Sequence, residues 1–339
     1  MDMLELDGRG GGGQLLRSAL TLALCTGTGF TMRGIRAARP RPGLMRQHLT
    51  AVQAACAISG SEATGATLGS TDLTFVPGAV VPGDYTFALG TAGSTMLVLQ
   101  TLLPAFWRAG ASSRVRLEGG THNPMAPSAD FIQHAYLPAL RRIGVCADVA
   151  LESHGFYPAG GGAVVATIEP CPGLQVAAFG ERGPLVSVEA TALLSALAAS
   201  IGRRELAVLG KRLGLAEDRL HLHSVRPAVG PGNAVMVRVE HAGHVELFTG
   251  YGERGLPAEK VAERLAAQVR HYLDSQACVA EHLADQLLLP MALAGGGKFT
   301  TCVASDHLLS NAALIEKFVA VEIDCEPDGP DRWRVRVAA

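Results

Sequence analysis

A histidine near the C-terminus, His307, is the side chain of this sequence that first suggests chemistry. The segment before it, 298–303, reads as a short strand, and a helix is expected to begin just after it, at Ser310 or Asn311. A histidine at such a junction is held on a rigid frame yet lies open at the sheet's edge, and neutral imidazole is a competent nucleophile near pH 7. The segment alone also fits an ordinary surface-turn histidine.

An arginine-rich stretch between residues 31 and 48 is the second candidate. It contains five arginines in a chain whose formal net charge is −2. Pro40 and Pro42 make its middle a rigid loop, and Gly43 leads into a helix that is expected to end near Ser59. Because a guanidinium can bind two phosphate oxygens at once, the loop is a candidate phosphate site, with a solvated loop as the open alternative.

The elements that would position these groups begin with a glycine loop. A strand over Met3–Asp7 is followed by glycines at 8 and 10–13 and then by a helix over 14–24. The free N–H groups and positive dipole end of such a helix favour an anion. The loop is not a Walker A motif, since the Lys-Ser/Thr pair is absent, and it lacks the setting of a dinucleotide-binding fingerprint.

Two apolar helices are expected further along the chain. One spans 93–107 and is interrupted by Gln100, which is either a satisfied core amide or a ligand contact. The other covers 284–293 and ends at the glycines 295–297.

The composition of the chain limits the classes of protein to which it can belong. The 339 residues are 48% hydrophobic and 18% charged, which fits a soluble globular protein of two or more domains, and no apolar run is long enough to span a bilayer. The start lacks a signal-peptide pattern, so we expect a cytoplasmic protein with no membrane partner. The net charge argues against coating nucleic acid by bulk charge but allows a local site. The seven cysteines are scattered singly and indicate neither a disulfide framework nor a structural zinc site.

The order of elements suggests a tandem repeat of strands and helices with glycines at the junctions. From about residue 181 to 272 the character changes, with amphipathic helices expected over 190–201, 204–213 and 258–273. We interpret this part as a second, smaller domain inserted into the first.

Four sets of residues, taken together and in order, carry a resemblance to a known family. They are Asp7-Gly8 with Gly11-Gly12-Gly13-Gln14-x-Leu16-Arg17; Ile35-Arg36-Ala37-x-Arg39-x-x-Pro42-Gly43-Leu44-x-x-Gln47-His48-Leu49; Phe156-Tyr157-Pro158-x-Gly160-Gly161-Gly162; and Leu283-x-Asp285-Gln286-Leu287 with His307. Over nearly its whole length the chain resembles the RNA 3′-terminal phosphate cyclases.

The resemblance implies an α+β fold of three tandem repeats, each a four-stranded sheet backed by two helices, with a small α+β domain inserted before the last repeat. We therefore expect a catalytic domain formed by 1–180 and 273–339, and an inserted domain at 181–272. The implied activity is the ATP-dependent conversion of an RNA 3′-phosphate end to a 2′,3′-cyclic phosphate, with a divalent cation, Mg²⁺ or Mn²⁺. The partner is an RNA with a 3′-phosphate end, and a homodimer is possible.

The resemblance also assigns roles. It makes His307 the nucleophile that carries AMP on its imidazole. It implies a phosphate site formed by Arg17, Arg36, Arg39 and Gln47. It also implies a nucleotide site formed by Gln100, Pro127, His282, Asp285 and Gln286.

Two departures from the family pattern bear on these roles. The first loop is two residues shorter than usual, and Gly10 stands where the family has a metal-associated glutamate, so the metal ligands are unknown. His282 stands where many relatives have a tyrosine against the adenine, and imidazole buries less area.

Two other functions compete with the cyclase. One is a cyclase-like assembly factor that binds RNA without adenylation, and the other is an enolpyruvyl transferase with a similar repeated sheet. Neither needs a nucleophilic histidine, so covalent labelling by ATP would separate them from a cyclase.

Overall fold

In the computed structural model, which describes residues 3–339, three sheets share one strand order. The sheets are β1-β2-β4-β3, β5-β6-β8-β7 and β9-β14-β16-β15, and in each the first two strands are parallel while the other two pairs are antiparallel. A parallel pair needs a crossover, and here a helix supplies it in every repeat.

The first repeat consists of β1 (Met3–Asp7), α1 (Gly13–Thr26), β2 (Gly29–Arg33), α2 (Arg46–Ser59), β3 (Glu62–Thr64) and β4 (Leu73–Val76). The second consists of β5 (Asp84–Ala88), α3 (Thr95–Trp107), β6 (Ser113–Gly119), a helix in three parts, β7 (Ala147–Ser153) and β8 (Gly162–Ile168). The three parts are α4 (Ala129–Phe131), a π-helical turn (Ile132–Tyr136) and α5 (Leu137–Arg141).

The third repeat begins with β9 (Ala177–Phe179) and is then interrupted by another unit of sheet and helices. That unit, which we call the insert, is made of β10 (Leu185–Ser195), α6 (Ala199–Leu213), a 3₁₀ turn (Glu217–Arg219), β11 (Leu220–Ser224), β12 (Gly232–His241), β13 (His244–Tyr251) and α7 (Ala258–Ser275). The third repeat then resumes with α8 (Glu281–Leu293), β14 (Gly296–Thr301), α9 (Asp306–Phe318), β15 (Glu322–Pro327) and β16 (Trp333–Ala338).

The helices of the three repeats share one core. Helix α1 packs against α3 and α9, and α8 packs against α9. The buried face of α1 recurs at helical spacing, with Leu16, Ala19, Leu20 and Ala23 fully buried. Each fully buried leucine of this kind contributes roughly 1.5–3 kcal/mol through the hydrophobic effect. This packing brings the first helix of each repeat, α1, α3 and α8, to the centre of the molecule.

The insert has its own sheet, ordered β11-β10-β12-β13. Alternate residues such as Ala190, Ala192, Val235 and Val237 face α6 and α7 and form a second core. The opposite face of this sheet carries no helix of the insert.

These observations confirm the predicted α+β class with repeated sheet-and-helix units. The domain bounds at 181 and 272 stay a prediction. Within residues 3–339, no helix is both long enough and apolar enough to cross a bilayer.

Two predicted helix bounds were wrong. The segment 190–201 is not one helix, because it continues β10 to Ser195 before α6 begins at Ala199. The helix after His307 begins at Asp306, not at Ser310 or Asn311, because the hydroxyl of Ser305 caps it by accepting a hydrogen bond from the Leu308 N–H at 3.2 Å. His307 therefore lies in the first turn of α9.

Candidate active site

One cavity of about 360 Å³ gathers most of the predicted site residues. Helix α1 contributes Arg17, α3 contributes Gln100, α8 contributes His282, Asp285 and Gln286, α9 contributes His307, and the loop before α4 contributes Pro127. The site is thus built from the first helix of every repeat together with the start of α9.

A hydrogen-bonded chain runs from His307 into the protein. The amide oxygen of Gln14 bonds to Nδ1 of His307, and the amide nitrogen of the same glutamine donates to Oδ1 of Asp285. An amide oxygen can only accept, so Nδ1 of His307 carries the proton. The lone pair of the imidazole is then on Nε2, the nitrogen available for attack.

Asp285 anchors this chain. Asn311 lies one helical turn after His307, and its Nδ2 donates to the main-chain oxygen and to Oδ1 of Asp285, each at 3.2 Å. Burial raises the pKa of Asp285 above its ordinary value, while His307, the donors Gln14 and Asn311, and Arg17 act in the opposite direction. The carboxylate of Asp285 thus holds both Gln14 and the first turn of α9.

The second glutamine pair joins two repeats across the cavity. Nε2 of Gln100 on α3 donates to Oε1 of Gln286 on α8. Gln100 is therefore not an amide whose hydrogen bonds are made within the core of its own repeat. Its partner Gln286 belongs to another repeat, and both side chains line the cavity.

The start of α1 is a candidate anion site. Gly12 caps the helix, and NH2 of Arg39 would lie 3.1 Å from a β-carbon placed there. A β-carbon on Gly13 would collide with Nε2 of His48 and would lie 3.0 Å from NH1 of Arg17. Two guanidinium groups, an imidazole and the free N–H groups of a helix thus converge on two glycines.

The charges around this helix start suit an anion. Burial lowers the pKa of Arg17 to about 10, against the attraction of Asp285, so the side chain stays protonated at pH 7. Burial, with the charges of Arg17 and Arg36, lowers the pKa of His48 to about 3. His48 is therefore neutral, and since its Nδ1 accepts from the Met45 N–H at 3.1 Å, its Nε2 carries the proton and can donate to a ligand at Gly13.

Three predicted phosphate-site residues lie outside the cavity wall. Arg39 lies beside it, at Gly12. Arg36 has a left-handed backbone, with φ of 55°, and its NH1 donates to the carbonyls of Arg41 and Gly43 at 2.8 Å each. Oε1 of Gln47 accepts from the Ser94 N–H at 2.9 Å at the start of α3. The contacts of Arg36 and Gln47 order the loop and join α2 to α3, and their predicted roles toward phosphate stay predictions.

Comparison with known proteins identifies the family. The family model described as RNA 3′-terminal phosphate cyclase matches residues 9–325. The chain belongs to this family. It is 51% identical to the RNA 3′-terminal phosphate cyclase of Ralstonia nicotianae, over 96% of this chain and 94% of that protein. It is 52% identical to the protein of the same name from Pseudomonas fluorescens, over 96% and 95%, and 49% identical to that of Salmonella typhimurium, over 96% of each.

Sequence reasoning assigned no role to several residues of this cyclase-family site. Gln14 and His48 stand inside the motifs that carry the resemblance, and Asn311 follows His307 at helical spacing. Thr249 and Tyr251 of β13 also line the cavity, beside Pro127. Their position depends on how the insert packs, for which the local sequence gives no signal.

The described residues do not form a complete set of protein ligands for a divalent cation. Within residues 3–339 no three His, Cys, Asp or Glu side chains are grouped as metal ligands would be. The carboxylates of the cavity are Glu281 and Asp285, and Asp285 already accepts hydrogen bonds from two amides. The donor set does not fit a cation held by the chain alone, and no step below depends on one.

Proposed function

We propose that this protein converts the 3′-terminal phosphate of an RNA to a 2′,3′-cyclic phosphate at the expense of ATP, through AMP bound covalently to His307. The observation that carries the proposal is the bond between Gln14 and Nδ1 of His307, because it leaves the lone pair on Nε2 of a histidine that lines the cavity. Membership of the cyclase family supports the same reaction.

The reaction would have three steps. Nε2 of His307 attacks the α-phosphorus of ATP, a P–N bond forms, and the P–O bond to pyrophosphate breaks. An oxygen of the RNA 3′-phosphate then attacks the same phosphorus and displaces the imidazole, giving an RNA-adenylate. Finally the vicinal 2′-hydroxyl loses its proton and attacks the 3′-phosphorus, which closes the cyclic phosphate and releases AMP. The covalent intermediate conserves the energy of ATP by dividing one difficult step into easier ones.

The protein's own groups would act mainly through charge. Each step gathers negative charge on phosphate oxygens, and Arg17, Arg39, the N–H of neutral His48 and the N-terminus of α1 are arranged to stabilise it. Asp285 keeps Gln14 in place and hence holds the tautomer of His307. His282, Gln100, Gln286 and Pro127 would contact the adenylate. The cytoplasmic location and a homodimer stay predictions.

Incubation with α-labelled ATP and either Mg²⁺ or Mn²⁺, followed by a denaturing gel, tests the covalent step. We expect a label that survives denaturation, is labile in acid and stable in alkali as a phosphoramidate is, and disappears in His307→Asn. His271→Asn, on α7 and away from the cavity, is the matched control and should label fully. Folded protein that takes up no label with either metal would contradict the proposal and favour the assembly factor that only binds RNA.

A further inference from the structure

A second cleft, of about 490 Å³, adjoins the His307 cavity. It lies between the helix-free face of the insert sheet and the second repeat, and we call it the sheet cleft. We propose that the sheet cleft binds the nucleotides that precede the terminal phosphate of a single-stranded RNA. The inference rests on the proposed function and adds to it where the body of the substrate lies.

The strand register makes the two cavities parts of one surface. Thr191 of β10 pairs with Met236 of β12, which in turn pairs with Thr249 of β13. Thr191 and Met236 line the sheet cleft, while Thr249 lines the His307 cavity. Leu247, two residues before Thr249 and on the same face, lines both. The surface continues to the edge strand β11, so it is three strand spacings, or about 14 Å, wide.

Imidazole rings are concentrated in this cleft. His134 and His154 come from the second repeat, and His223 comes from β11. The ring of His154 stacks on that of buried His122, with centroids 5.3 Å apart, which fixes its plane. Planar side chains of this kind stack on unpaired bases. Among residues 3–339 no set of three ligating side chains is spaced to hold a metal ion, so the histidines do not form a metal centre.

The acidic groups of the cleft already have partners. Glu189 pairs with Arg219 at 2.7 Å. Oδ2 of Asp130 accepts a hydrogen bond from Nε2 of His122 at 2.6 Å; burial of Asp130 opposes its ionisation, but the bond and charge of His122 outweigh this and lower its pKa. The charge of Glu189 is thus offset by a guanidinium, and the carboxylate of Asp130 is engaged by the ring of His122.

Among the described residues, one positively charged side chain of the cleft, that of Arg226, has no acidic partner. Arg238 pairs with Glu240 at 2.7 Å, whereas exposed Arg226 has neither an ion pair nor a side-chain hydrogen bond to any residue within 3–339. A free guanidinium beside several imidazole faces is suited to a ligand with both phosphate charge and planar bases. The cleft therefore favours single-stranded RNA over an acidic small molecule without rings.

The length of RNA follows from the width of the sheet. Four-stranded sheets that bind single-stranded RNA on an open face stack two or three bases. We expect the affinity for 3′-phosphorylated RNA to rise with each nucleotide up to about three and then to level off.

Binding of 3′-phosphorylated oligonucleotides of one to five residues, labelled at the 5′ end and measured without ATP at several salt concentrations, tests this. Arg226→Ala should weaken the binding of the trinucleotide about tenfold and reduce the slope of log K against log salt by about 0.7, the value for one phosphate contact on a single strand. His223→Ala should weaken it by a similar factor without changing the slope, because stacking carries no charge. Both side chains are exposed, so neither change should unfold the protein.

Arg203→Ala, which removes an exposed arginine from α6 on the other side of the insert sheet, is the matched control. An affinity that does not rise with length in the unaltered protein would overturn the inference. The same holds if Arg226→Ala and His223→Ala bind every length as Arg203→Ala does. Labelling by ATP alone does not involve the sheet cleft, so all three variants should label normally. Protein that binds RNA as expected but never labels would contradict the proposed function and leave the cleft assignment intact.

Discussion

At the scale of single residues, the amide of Gln14 determines what His307 can do. The glutamine and the histidine are 293 positions apart in the chain, yet their side chains are hydrogen-bonded. Because the other end of the amide donates to Asp285, the glutamine cannot rotate without losing that bond. The carboxylate of Asp285 thus fixes the proton of His307 on Nδ1 through the side chain of Gln14.

Replacing Gln14 by alanine tests this arrangement. The imidazole of His307 would lose the acceptor for Nδ1, so both tautomers would become available and the ring would turn more freely. We expect the rate of labelling by ATP to fall roughly 10- to 100-fold, the range found when the hydrogen-bond partner that orients a metal-binding imidazole is removed, with little loss of stability. The measurement is a time course of label uptake, beside thermal unfolding of the same variant.

Gln53→Ala is the control, since Gln53 is an exposed glutamine on α2. If Gln14→Ala labels as fast as Gln53→Ala, Gln14 does not orient His307.

The residue types of the site could be predicted, but their partners could not. The motifs of the resemblance supplied His307, Asp285, Gln286 and Arg17 as candidates, and the structure brings all four to one cavity. No pattern in the sequence indicates that Gln14 would lie between His307 and Asp285, because that contact depends on how α1, α8 and α9 pack.

At the scale of elements, the start of α1 is the part of the molecule best suited to phosphate. Its first glycines have no side chains, so the Arg39 guanidinium and the His48 ring approach the helix backbone closely. The glycine loop and the arginine loop, which were separate candidates in the sequence, are therefore two sides of one candidate anion site.

Substitutions within the glycine loop separate this role from a general need for glycine. In Gly13→Ala the new methyl group would push His48 and Arg17 away from the helix start. We expect at least a tenfold loss in labelling by ATP, measured at saturating and at limiting ATP to separate binding from rate. Gly10→Ala is the matched control, since a β-carbon there meets no atom within 4 Å. Equal labelling of the two variants would mean that α1 does not hold the phosphates.

The two elements that were predicted wrongly have separate physical causes. Residues 188, 190 and 192 alternate toward α6 and α7, which is a strand pattern, but the alanines among them also favour a helix. Pairing with β11 and β12 on both sides decides in favour of the strand. The start of α9 was placed too late because Ser305 was not recognised as its cap.

At the scale of the whole molecule, the insert completes the site that the three repeats begin. Strand β13 provides Thr249 and Tyr251 to the cavity, and its Glu246 is hydrogen-bonded to the residue that caps α8. Buried Glu246 accepts from the N–H of Ala280, the residue that caps α8, at 2.7 Å, and from Nε2 of His244 at 2.9 Å. The repeats could be predicted from the sequence, but this contact between insert and repeat could not.

Glu246 is therefore expected to control the geometry of the cavity from outside it. Glu246→Ala would leave two buried donors, the N–H of Ala280 and the ring of His244, without their acceptor, at a cost of about 1–3 kcal/mol each. Because α8 carries His282, Asp285 and Gln286, its displacement from β13 should raise the KM for ATP several-fold at 25 °C, under conditions where the variant stays folded.

Glu246→Gln keeps an oxygen that can accept from Ala280 and should recover most of the affinity. Glu259→Ala, which removes a half-exposed carboxylate from α7, provides the control and should leave the KM unchanged. A Glu246→Ala protein that is destabilised but keeps the normal KM would show that the bond holds the insert in place without shaping the nucleotide site.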